Sequence, residues 1–190
     1  MTENELLELL TELGALQRGH FLLSSGLHSD TYFQCARALQ YPELARELGR
    51  LLAERFDPRE CDFVISPALG GILIGHEVAR GIGRRCLFTE RSGGPMTLRR
   101  GFAIEPNEKA LIIEDVVTRG TSTREVARVV TEAGGSVQGV GAIIDRTGGD
   151  ADLPAPLQAL ARVSAAAWDP SACPLCAAGS PVVKPGSRGA

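Results

Sequence analysis

The stretch Leu111-Ile112-Ile113-Glu114-Asp115-Val116-Val117-Thr118-Arg119-Gly120-Thr121-Ser122-Thr123 (LIIEDVVTRGTST) decides how the other residues of this 190-residue chain are read. An apolar, β-branched run over Ala110–Ile113 predicts a buried strand. It ends in two carboxylates and a turn containing glycine. A helical pattern then runs from Thr123 to Ala133 and stops at Gly134–Gly135, a pair suited to a helix C-cap. Strand, loop and helix repeat on either side. Asp62–Ser66 reads as a buried strand, followed by the loop Pro67–Gly71 and a helix over Ile72–Arg80. Further strands are predicted at Cys86–Thr89, Arg99–Ile104, Val137–Ile144 and Arg162–Ala167, with Leu153–Leu160 as a short linker or helix. Such alternation predicts the α/β class, with a parallel sheet flanked by helices. Ligands of these sheets bind beyond the carboxyl ends of the strands. The loops after Ser66, Ile113 and Ile144 are therefore the ones to watch.

Toward the N-terminus the periodicity changes. Leucines at 6, 7, 9, 10 and 13 predict an amphipathic helix over Asn4–Leu13, and Pro42 opens a second helix that runs to Phe56. Between them, Phe21–Phe33 is broken by Gly26 and suggests two small strands. The length fits one domain, residues 1–190, with a small N-terminal hood (1–40), a flexible lid (91–100) and an irregular tail (169–190) rich in Pro, Gly and Ser. No internal repeat is present.

Composition excludes several classes. A net charge of −3 and a pI near 5.7 give no electrostatic reason to bind nucleic acid or an anionic membrane. No apolar run approaches a membrane span, and the acidic first 15 residues do not resemble a secretion signal. The five cysteines are scattered and odd in number, which fits a reducing cytoplasm better than a disulfide framework. Only Lys109 and Lys184 are lysines, so arginine, a planar donor fork suited to phosphate and carboxylate, supplies the remaining positive charge. Cys173-Pro174-Leu175-Cys176 has the spacing of half a zinc knuckle. With His20, His28 and His76 isolated in sequence, no metal held by protein side chains is expected.

The chemistry of the deciding stretch follows from its residue types. Backbone amides of a glycine-containing loop and a first helical turn cradle anions. The hydroxyls of Thr118, Thr121, Ser122 and Thr123 can donate to phosphate oxygens, while Glu114 and Asp115 can accept from sugar hydroxyls. That combination suits a ribose 5-phosphate. The absence of a Gly-Lys-Ser/Thr sequence separates it from a Walker loop. The competing structural reading is an acidic strand end followed by an ordinary N-cap cluster.

This segment resembles the phosphoribosyl diphosphate signature of type I phosphoribosyltransferases: hydrophobic strand, two acids, two hydrophobics, Thr, one residue, Gly, Thr. The resemblance implies the type I phosphoribosyltransferase fold. It also implies a donor site formed by Ala68, Leu69, Gly70, Glu114, Asp115, Val116, Val117, Thr118, Arg119, Gly120, Thr121 and Ser122. Phe21–Phe33 (FLLSSGLHSDTYF) resembles the N-terminal signature of the orotate branch, which implies that Tyr32 and Phe33 lie against a flat pyrimidine, with Thr118 beside it. Asp145–Arg146 matches a family position where arginine contacts orotate. Glu90–Phe102 looks like the mobile lid of a bacterial branch, with Arg91, Arg99 and Arg100 where relatives carry lysine. Ser24 likewise replaces a common lysine, and Arg119 a small residue. Catalytic roles are then expected of Glu114, Asp115, Arg91 and Arg99. Mg²⁺ would be held mainly by the substrate, and the protein would be a cytoplasmic homodimer. Two alternatives share the fold: a purine phosphoribosyltransferase, which would lack the Phe21–Phe33 signature, and a non-catalytic nucleotide-binding regulator. A base screen separates the first from the orotate reading, and pyrophosphate release separates the second.

Overall fold

The computed structural model describes residues 1–23, 25–91 and 93–185; Ser24, Ser92 of the lid and the last five residues of the tail lie outside them. The chain begins with α1 (Glu3–Glu12), opened by a capping box in which the Glu5 amide donates to Thr2 Oγ1 and the Thr2 amide donates to Glu5 Oε2. Next come β1 (Leu16–Leu22), β2 (His28–Phe33), the single turn α2 (Ala36–Leu39) and α3 (Pro42–Ala53). The sheet-and-helix alternation follows as β3 (Phe63–Pro67), α4 (Gly70–Ile82), β4 (Arg85–Arg91), β5 (Met96–Leu98), β6 (Lys109–Val117), α5 (Thr121–Glu132), β7 (Ser136–Asp145) and β8 (Leu157–Arg162). The chain then supplies β9 (Ala167–Trp168) and one last turn, α6 (Pro174–Ala177).

Six strands form the main sheet in the order β5-β4-β3-β6-β7-β8, all parallel except the edge strand β5. Its two faces follow the strand period of two. Val64, Leu111, Ile113 and Ile143 pack toward α1, α3 and α4, while Phe63, Ile65, Ile112 and Val140 pack toward α5. Residues 64 and 65 thus feed opposite cores. Each apolar side chain fully buried in this way contributes about 1.5–3 kcal/mol. Helices α3 and α4 approach closely through glycine: a Cβ on Gly49 would sit 2.8 Å from the Glu77 carbonyl carbon, and one on Gly81 would meet Ala53 Cβ at 2.8 Å.

The hood is a second, three-stranded antiparallel sheet, β1-β2-β9. Two strand expectations change in the structure. The return strand of the lid is Met96–Leu98 rather than Arg99–Ile104, because Arg100 and Gly101 take left-handed backbone (φ 61° and 72°) and end the ladder. The last sheet strand is Leu157–Arg162, not Arg162–Ala167. The alanines and leucine at 159–161 are the ones that bury, so Leu153–Leu160 holds no helix. Within the lid, Arg91 pairs with Met96, and Thr97 and Leu98 pair with Glu90 and Thr89, in the β4–β5 hairpin. The described part of the tail, through Pro185, reaches the hood: Val183 bridges Phe21, and its amide donates to His20 O at 2.8 Å.

Candidate active site

Strand β6 runs past the acidic pair, so Glu114 and Asp115 belong to the strand and only Thr118 and Arg119 form the exposed turn. Gly120 follows with φ 68°, a conformation that glycine adopts without cost, and helix α5 starts at Thr121 without a side-chain cap. The first amides of a helix lack intrahelical acceptors and stand at the positive end of its dipole. The end of β7 lies alongside, the Arg146 amide donating to Val117 O at 2.8 Å.

The two acids do different things. Glu114 is 8% exposed and accepts from the buried Thr123 hydroxyl at 2.5 Å. Burial, helped by neighbouring Asp115 and opposed by the Thr123 hydrogen bond, pushes its carboxyl up to about 7. Asp115 is also raised by burial, with the backbone amides of Val116 and Asp115 pulling the other way. Its carboxylate faces the loop between β3 and α4, so near that a Cβ on Gly70 would meet Asp115 Oδ1 at 2.7 Å. Ala68, Leu69 and Gly70 therefore stand beside Asp115, with Leu69 84% exposed.

In front of α5 lies a cavity of about 1120 Å³ between the main sheet and the hood. The phosphate loop contributes Val116, Thr118, Arg119, Thr121 and Ser122 to its wall, β2 contributes Tyr32 and Phe33, and the end of β7 contributes Arg146. The Arg146 guanidinium lies 5.6 Å from the centre of the Phe33 ring and donates to Ser29 Oγ at 3.3 Å. Its Nε is buried and makes no hydrogen bond among the described residues. Burial lowers the pKa of Arg146, opposed by Asp30 and reinforced by Arg18. Burial and then Asp115 raise the Tyr32 phenol, so that ring stays neutral at physiological pH.

The expected residues thus divide into three sets. The aromatic pair, Arg146 and the hydroxyls of the α5 loop share one cavity. Ala68–Gly70 with Asp115 form an adjoining shelf at the ends of β3 and β6, with Glu114 behind it. Arg91 and Arg99 are not brought to the cavity: Arg91 pairs with Glu125 of α5 at 2.8 Å, and Arg99 lies 4.0 Å from Glu90. The sequence reading missed Arg124, whose Nη1 donates to Arg119 O (2.9 Å) and Asp152 O (2.8 Å) and so braces the phosphate loop. It also missed Lys184, which lines the cavity from the tail. Its signal was its rarity, since only one other lysine exists in the chain. The expectation that His20 and His28 are isolated is corrected: antiparallel pairing of β1 with β2 sets His20 Nε2 2.8 Å from His28 Nδ1.

No protein-family model matches the chain. Among curated proteins, it is 50% identical over 188 residues to an orotate phosphoribosyltransferase of Desulforamulus reducens, covering 99% of this chain and 98% of that one. An orotate phosphoribosyltransferase of Acidithiobacillus ferrooxidans is 51% identical over 193 residues, with 100% and 99% covered. Among solved structures, orotate phosphoribosyltransferase from Aeropyrum pernix superposes with a TM-score of 0.69 at 23% identity, covering 83% of this chain and 93% of that one. An adenine phosphoribosyltransferase from Thermoanaerobacter pseudethanolicus superposes at 0.59 with 16% identity, covering 70% and 88%. These two structural likenesses speak for the fold.

Proposed function

The chain belongs to the orotate phosphoribosyltransferase family, and from that premise we propose that the cavity between hood and sheet is where it joins its two substrates. The reaction transfers the ribose 5-phosphate group of phosphoribosyl diphosphate to orotate, giving orotidine 5′-phosphate and pyrophosphate, a step of pyrimidine biosynthesis. One observation carries the placement of the site: an uncapped helix N-terminus ringed by hydroxyls shares a cavity with an aromatic pair and a half-buried arginine.

In this reading the amides at the start of α5 and the hydroxyls of Thr118, Thr121 and Ser122 hold the 5-phosphate. Asp115, and Glu114 behind it, accept from the ribose hydroxyls. Ala68–Gly70 lie where backbone can approach the diphosphate, since Gly70 has no Cβ to crowd Asp115. Tyr32 and Phe33 offer apolar faces to the pyrimidine, and Arg146 offers its unpaired Nε–H to an orotate oxygen. Loss of pyrophosphate develops positive charge at the anomeric carbon, which a neighbouring carboxylate such as Asp115 can offset. Everything the protein supplies is position and fixed charge, with no covalent nucleophile.

The Asp115 carboxylate beside Gly70 offers the kind of oxygen ligand a hard cation takes. Mg²⁺, held mainly by the diphosphate and water, would neutralise the leaving group. Arg91 and Arg99 would act on the diphosphate only if the lid hairpin moves, or across the interface of the homodimer we also propose. Among the described residues, no helix is long and apolar enough to cross a membrane, and the free cysteines favour a cytoplasmic setting.

The test is a direct assay of product formation with phosphoribosyl diphosphate, Mg²⁺ and, in turn, orotate, adenine, guanine and xanthine. Turnover confined to orotate is the expected result. Turnover with a purine instead would move Tyr32, Phe33 and Arg146 out of the pyrimidine role.

A further inference from the structure

The hood holds a cluster that substrate binding does not use. His20 of β1, His28 of β2, Cys173 and Cys176 present one ligand atom each, and all four atoms lie within 4.8 Å of one another. Cys176 Sγ is 3.3 Å from His28 Nδ1 and 3.7 Å from His20 Nε2, and Cys173 Sγ is 3.5 Å from His20 Nε2. His20 Nδ1 lies 2.9 Å from Ser180 O. A carbonyl oxygen can only accept, so that nitrogen carries the proton, and Nε2 of the neutral ring turns a lone pair toward the thiols. An imidazole fixed through its far nitrogen in this way is the usual support of a metal ligand.

We propose that these four side chains form a structural zinc site that fastens the tail to the hood. Two imidazoles and two thiolates are the donor set zinc prefers, and Cys173–Cys176 has the two-residue spacing of zinc knuckles. Bonds of about 2.0–2.1 Å to nitrogen and 2.3 Å to sulfur put tetrahedral ligand atoms about 3.3–3.8 Å apart. Three of the four sulfur–nitrogen distances already lie in that range. The 2.8 Å between the two ring nitrogens must open by about half an ångström, and the cluster, whose ligand atoms spread over as much as 4.8 Å, must draw in by about one. Four protein ligands leave no open position, which makes the site structural. The tail has few other ties: between Asp169 and Pro185 only Cys173 is buried, and beyond the strand Ala167–Trp168 it meets the hood through Ser180 O and Val183. The same segment carries Lys184 to the cavity wall, so the metal fixes one side of the substrate pocket from outside it.

Elemental analysis of the full chain, purified under reducing conditions and passed over a weak chelating resin, should give about one zinc per chain. The Cys173→Ser/Cys176→Ser double variant should give less than a tenth of that. Because the double variant could fold poorly, wild-type protein exchanged into cobalt(II) supplies a second measurement. Strong visible d–d absorption with a thiolate charge-transfer band is expected for a tetrahedral N₂S₂ site. Reduced wild-type protein that takes up neither zinc nor cobalt, or whose cobalt spectrum is weak and octahedral, overturns the proposal. So does zinc content unchanged in the double variant. None of these readouts involves substrate, so they stand apart from the assignment of the reaction.

Discussion

The main sheet and the hood are held together by opposite means. In the sheet, consecutive residues of β3, β6 and β7 feed two apolar cores, and cohesion comes from area removed from water. The tail buries little, the hood buries polar His20, His28, Ser29 and Thr31 beside its apolar residues, and the ties between them are specific: a His–His contact, two thiols, and a carbonyl of Ser180 reached by His20 from 160 positions away. The difference teaches where tolerance lies. A core built on area resists many small polar changes but not a change of volume. A hood built on single contacts should respond to the loss of one donor atom.

The largest effect should come from volume. Gly49→Ala drives a Cβ against Glu77 where α3 meets α4, and overpacking of this kind costs about 3 kcal/mol. For a chain of this length that lowers the melting temperature by roughly 6–12 °C, measurable by calorimetry. A variant that melts like the wild type would show that the helices part easily, and the contrast with the hood would weaken.

The next effect sharpens the contrast by placing a polar group inside the area-built region. With its carboxyl raised to about 7 from an ordinary value of 4.5, Glu114 binds a proton in the folded state that the unfolded chain has already lost. Its contribution to stability is therefore complete below pH 4.5 and falls away as pH rises through 7. Glu114→Gln keeps an acceptor for Thr123 and removes the buried charge. We expect it to gain about 2 kcal/mol at pH 8 and nothing near pH 4, read from urea unfolding at both values. An equal shift at both pH values would break this account.

At the joint between the two regions stands Arg146, over Phe33 of the hood while held by the end of β7. Arg146→Ala should raise KM for orotate about 30-fold, near 2 kcal/mol for a lost charge-assisted hydrogen bond, and change KM for phosphoribosyl diphosphate less than threefold. Equal losses for both substrates would make Arg146 a spacer between the two sheets. The smallest effect belongs to the exposed lid. Arg91→Ala removes a surface ion pair with Glu125 and should cost under about 1 kcal/mol of stability. A larger loss in a denaturant titration would mean that the hairpin belongs energetically to the core.

Legibility in the sequence divides along the same boundary. The strand of Ala110–Ile113, the helix ending at Gly134 and the phosphate loop between them are local patterns, written in one unbroken stretch of sequence. Tyr32, Phe33 and Arg146 could be picked out as chemistry, and the fold does set them around one cavity. What escaped was set by distant partners. Met96–Leu98 is a strand because β4 lies beside it, and Ala167–Trp168 because β2 does. His20 and His28 look solitary until the hairpin pairs them, and the Cys-x-x-Cys looks like half a motif until the tail comes back to meet them. Arg91 and Arg99 have the right type of charge, but carboxylates on neighbouring elements claim them.

The path of the chain after β8 also bears on how the protein is made. Every strand of the main sheet has left the ribosome once Arg162 emerges, so that unit can collapse while synthesis continues. The hood has its first two strands from the earliest residues but receives its third from Ala167–Trp168 and its Val183 bridge later still. A nascent chain arrested between these points would carry a finished sheet under an unfinished roof, with the backbone of Phe21, His28 and Ser29 still waiting for its partners.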